Sequence, residues 1–113
     1  MSQKNLVMGP FAAAQQLIRD LDNGAATVNG DRTSRYIPVA KGTGDKIGKR
    51  VHVCLIEEKK GIPKYSWGYA LHVIDDVDET DCIWFQTDSL RFADLVEILD
   101  DLFQRLRNGL PLP

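Results

Sequence analysis

The chain reads as α+β: an N-terminal helix, an antiparallel meander of about four strands, and a long C-terminal amphipathic helix packed on the sheet. Three observations predict this. Apolar residues recur at helical spacing near both ends, alternating and short apolar runs fill the middle, and the connections between those runs are too short for parallel crossovers. With 113 residues, 43% apolar and 27% charged, the sequence has the size and composition of one domain over 1–113. Such figures exclude a multidomain enzyme, a collagen-like or low-complexity chain, and a disulfide-dense miniprotein. No apolar run approaches the ~20 residues of a membrane-spanning helix, so no membrane partner is expected.

The elements follow in order. Lys4 and the apolar stretch from Leu6 to Ala14 loosely imitate a secretory leader, but Gly9-Pro10 breaks that stretch. The preferred reading is a first helix opened by Pro10 and stopped at Asn23-Gly24, with Phe11, Ala14, Leu17, Ile18 and Leu21 on the buried face. Asn29-Gly30 is a turn signal that closes a short hairpin between Ala25–Val28 and Ser34–Ala40, and Pro38 pushes the second run toward a sheet edge. Three glycines between Gly42 and Gly48 make a loop. Val51–Ile56 reads as a strand buried on much of both faces. A polar turn near Gly61 returns the chain as Tyr65–Ile74, with Tyr65, Trp67, Tyr69, Leu71 and Val73 on one face. An acidic connection, Asp75–Asp81, leads to a last strand, Cys82–Gln86.

The C-terminal helix carries the clearest pattern. Phe92, Leu95, Val96, Leu99, Leu102, Phe103 and Leu106 fall on one face, Asp88 or Ser89 is the expected N-cap, and Asn108-Gly109 with Pro111 ends the helix. So large a stripe covers a sheet, a partner, or both.

Several chemistries fail on spacing. Gly42–Arg50 lacks the spacing of a phosphate loop and is followed by a strand where such a loop needs a helix. His52 and Cys54 share one face and, if paired residue numbers in the hairpin sum to about 122, His72 lies on that same side; Cys82 is the fourth member of a conceivable zinc set if the following hairpin has suitable register. The usual ligand pairs on flexible loops are missing, however, and no metal or other cofactor is expected. Both cysteines sit among apolar residues, which favours inert thiols and a reducing, cytoplasmic setting. The acids at 75–81 lack the glycine and terminal glutamate of a calcium loop. No catalytic residues are assigned and no enzyme class is supported.

Charge is segregated beneath a formal net of −2. Residues 1–66 carry 11 bases and 6 acids, whereas residues 67–113 carry 3 bases and 10 acids. Lys41, Lys46, Lys49, Arg50, Lys59, Lys60 and Lys64, with Tyr65 and Trp67, supply the cations and rings that a single-stranded nucleic acid needs. The competing reading buries Trp67 and Tyr69 under a helix and leaves the lysines as solvated turn residues. Over residues 34–107 the element order and charge placement resemble the coactivator domains of the positive cofactor four type and their whirly relatives, although no family motif matches residue by residue. That resemblance implies a helix-mediated dimer binding single-stranded DNA along its strands.

The first expectation is therefore a non-catalytic, homodimeric binding module, with Phe92, Leu95, Leu99, Leu102, Phe103 and Leu106 at its interface. The alternative is a protein-interaction or structural regulator that docks a protein partner on the same helix.

Overall fold

A computed structural model describes residues 5–23, 36–41, 50–57, 68–75 and 79–109. Asn5–Leu6 forms a two-residue strand, β1, too short to leave a periodicity in the sequence. Pro10 then takes the first position of α1, Pro10–Asp22, where its missing N–H costs nothing. Ala13, Ala14 and Leu17 are buried and Ile18 and Leu21 half-buried, while Phe11, expected in the core, is 56% exposed. It sits on the flank of the buried arc, and its ring meets another helix instead.

Four longer strands follow: β2, Ile37–Lys41; β3, Arg50–Glu57; β4, Tyr69–Asp75; and β5, Thr80–Thr87. The proposed strand at Ala25–Val28 and the glycine loop lie outside the described residues. The sheet has the order β1-β2-β3-β4-β5, with every neighbour antiparallel. β2 is thus not the outermost strand. Yet β1 pairs only with Ala40 and Lys41, so Pro38 still meets no ladder partner on that side among the described residues.

In the β3–β4 hairpin Cys54 lies opposite His72, so paired numbers sum to 126 rather than the expected 122. The shift is even, which preserves the face of every side chain. Val51, Val53, Leu55, Leu71 and Val73 consequently point to one side and join the main core.

β2 and β5 each bulge. An extra residue, Val39, enters β2 between Pro38 and Ala40, and Trp84 enters β5 opposite the Leu71-His72 step. A bulge places two successive side chains on one face and increases the local twist. Val39 with Ala40, and Trp84 with Phe85, accordingly all contribute to the main core.

α2, Phe92–Arg107, lies over that core. Its N-cap is Arg91 rather than Asp88 or Ser89, because residues 88–90 are spent crossing from the sheet to the helical layer. Arg91 has no side chain able to accept a capping bond; its guanidinium instead grips Asp94 in the first turn at 2.7 and 3.1 Å. That contact holds the Asp94 carboxyl below its ordinary range. At the other end Gly109 adopts φ +68° and donates its N–H to the Leu106 carbonyl, the left-handed stop that Asn108-Gly109 predicts.

Leu95, Leu99, Leu102, Phe103 and Leu106 are fully buried within one chain. This corrects their assignment to a dimer interface: the stripe is consumed by α1 and the sheet. Only Phe92, at the very first position of α2, remains 37% exposed. It meets Phe11 edge-on, ring centroids 5.2 Å apart.

Candidate functional site

The basic residues are placed by the strands that carry them. Lys41 ends β2, is exposed, and lies in register with Arg50, the first residue of β3. Lys46, Lys49, Lys59, Lys60, Lys64, Tyr65 and Trp67 lie outside the described residues. Their anchor points are nevertheless set, because the 42–49 connection returns at Arg50 and the 58–68 connection leaves after Glu57. At about 3.3 Å per residue these two ends of β3 stand ~23 Å apart. Tyr69 is half-buried against the main core, on the helix side.

No open strand face joins the two basic segments. The first face lies under the helices. On the second face Cys54, Ile56, Ala70 and His72 are all buried, so binding along the strands, as the resemblance implies, finds the middle of the sheet closed. Any contact with phosphates falls to the connections at the sheet ends.

The second face also carries a polar group that the sequence reading did not assemble. His72, 5% exposed, places Nδ1 3.3 Å from Oδ1 of Asp81 on β5, and the Tyr36 hydroxyl donates to the other oxygen of that carboxylate at 3.4 Å. Tyr36 and Leu21 also pack against Cys54 and Ile56. A tyrosine hydroxyl and a buried imidazole thus meet at the two oxygens of one carboxylate, Asp81. Asp81 belongs to an acidic run that looks like a solvated turn; the β4–β5 register, which sets it opposite Ile74, places it on the face of His72.

The four possible zinc ligands do not converge. His52, Cys54 and His72 share the second face, but Cys82 pairs with Val73 and packs into the main core on the other side. Among the described residues no group of three or more His, Cys, Asp or Glu is placed to hold a metal ion. Cys54 and His72 are directly opposed across two strands, yet both are closed to solvent.

Burial, and then the charge of neighbouring Asp81, push the Cys82 thiol up from its ordinary range. An activated thiolate requires the reverse environment. Native Cys82 is therefore expected to alkylate at least about tenfold more slowly than an open thiol near pH 8, where ordinary cysteines begin to ionise. Asp81→Asn speeds it by removing the adjacent charge. Peptide-resolved alkylation kinetics check this; rates matching a free thiol contradict it.

Compared with protein-family models, curated proteins and solved structures, the chain matches none.

Proposed function

We propose that the protein is a non-catalytic binding module that takes single-stranded nucleic acid at the end of the sheet where β2 turns into β3. The supporting observation is the register pair Lys41 and Arg50. It holds side by side both ends of a ten-residue segment with four bases, Lys41, Lys46, Lys49 and Arg50, and one acid, Asp45. Cations concentrated at one place are what a phosphate backbone selects, even on a chain whose total charge is slightly negative.

Four phosphate contacts on a single strand imply a log–log salt slope of about −3, hence a loss of about fifty-fold in affinity between about 50 and 200 mM salt. Fluorescence anisotropy with a labelled oligonucleotide reads that slope. Lys49→Glu with Arg50→Glu is expected to abolish most of the binding at low salt. Wild-type protein that ignores the oligonucleotide at low salt, or a double variant that binds it equally well, rejects the reading.

A second reading, docking of a protein partner, draws support from the exposed Phe11–Phe92 pair. That pair is also the apolar surface left for a homodimer once the rest of the α2 stripe is buried. Two cysteines set among apolar residues suit a reducing compartment such as the cytoplasm.

A further inference from the structure

The two edges of the sheet are unlike. At one, β1 covers the end of β2 and Pro38 withholds a donor where that cover stops. At the other, β5 is eight residues long, contains no lysine, arginine or proline, and has no strand on its outer side among the described residues. Long open edges present a row of backbone donors and acceptors, and proteins ordinarily blunt them with cations, proline or bulges. The β5 edge has one such device, the bulge at Trp84. Before it, from Thr80 to Ile83, the ladder with β4 is regular.

Charge indicates what this edge would accept. Residues 75–107 hold ten acids and three bases, Arg91, Arg105 and Arg107, and Arg105 lies over the Trp84 ring at 5.6 Å, beyond the regular stretch Thr80–Ile83. Glu79, Asp81 and Asp88 are exposed at or beside β5. Two copies of the chain meeting edge to edge would bring these acids together, so self-pairing is disfavoured. A basic strand is complementary.

From this edge and its charge we propose that β5 binds an extended basic peptide, added to the sheet as a sixth strand along Thr80–Ile83. Asp81 and Ile83 share the second face two residues apart, and Ile83 is 46% exposed. An added strand therefore needs a lysine or arginine beside Asp81 and a β-branched apolar residue two positions away beside Ile83. Backbone hydrogen bonds supply the pairing and these two side chains the selectivity. This proposal is independent of the nucleic-acid reading, which concerns β2 and β3.

The probe is an acetylated octapeptide whose alternate positions read lysine, valine, lysine, valine with threonine between them, so that lysine and valine share a face two residues apart, titrated into ¹⁵N-labelled full-length protein. Expected are amide shifts centred on Thr80–Ile83, an affinity at least tenfold lower for the same peptide N-methylated at alternate residues, and none measurable when glutamate replaces lysine. Ile83→Lys, at an exposed side chain, should also weaken binding at least tenfold while leaving the thermal transition in place. Equal binding of the N-methylated peptide shows attraction by charge alone and overturns the proposal. So does an absence of shifts at millimolar peptide, or a concentration-dependent dimer in sedimentation that Ile83→Lys disperses, because the edge would then belong to a second copy. Should Ile83→Lys fail to fold, the N-methylated peptide on wild-type protein still decides the matter.

Discussion

Leu99→Asp is expected to unfold the chain. Leu99 is fully buried among α1, α2 and the sheet, and truncating such a leucine costs about 2–5 kcal/mol before any charge is considered. A carboxyl group placed there without a partner adds about 1–3 kcal/mol for desolvation. The sum is comparable to the 5–15 kcal/mol that typically holds a domain together. Far-UV circular dichroism and urea denaturation should show loss of the cooperative transition. A helix whose apolar face served mainly to dock a partner would respond differently, keeping its fold and losing only the partner. A Leu99→Asp protein that unfolds near the wild-type urea midpoint would refute the intramolecular assignment of this face.

Phe103→Ala is expected to cost about 3–5 kcal/mol, the usual range for a buried phenylalanine. Phe103 is the largest fully buried side chain described, so its removal opens a cavity in the main core. Phe11→Ala or Phe92→Ala should cost only about 0.5–1.5 kcal/mol, the worth of an aromatic pair beyond its burial. Urea midpoints at unchanged slope measure all three. At about 4 °C or more per kcal/mol, the Phe103 variant should melt at least about 12 °C lower, and the other two only a few degrees lower. Equal losses at positions 11 and 103 would mean that Phe11 belongs to the core after all.

These paired outcomes mark where sequence pattern is informative and where it stops. The α2 stripe at Leu95, Leu99, Leu102, Phe103 and Leu106 was legible because helical periodicity is local and five large residues define a face. Periodicity states that a face is buried; it does not state against what. Phe11 and Phe92 satisfy much the same spacing and nevertheless reach the surface, Phe11 on the flank of the buried arc and Phe92 at the very first position of α2. The asparagine-glycine stop at Gly109 was legible for a local reason as well, the left-handed backbone that glycine permits. The helix start was not, because its position depends on how many residues are needed to cross from β5 to the helical layer.

Among the candidate site residues, the face shared by His52, Cys54 and His72 followed from two-residue alternation, and it survived a register four higher in pair sum than expected. The separation of Cys82 from that group follows from the β4–β5 register, which sets it opposite Val73, and had no signal in spacing. The Tyr36, His72 and Asp81 cluster was illegible for a related reason: Tyr36 and His72 lie 45 and 9 residues from the carboxylate they share and meet it only across the sheet. The basic segments were plain in composition. Their separation to the two ends of β3 is a property of the strand between them.

The sequence by itself determined the α+β class, the order of the principal elements, the faces that alternate along each strand, and the division of charge between the two halves of the chain. Each of these depends on neighbours within a few residues, or on composition alone. Tertiary structure decided that α2 covers its own sheet, that two bulges turn Val39 and Trp84 inward, that the second face is closed at its centre, and that β5 has no outer strand among the described residues. Those outcomes depend on which elements compete for the same apolar surface, a competition settled only when the whole sheet is assembled.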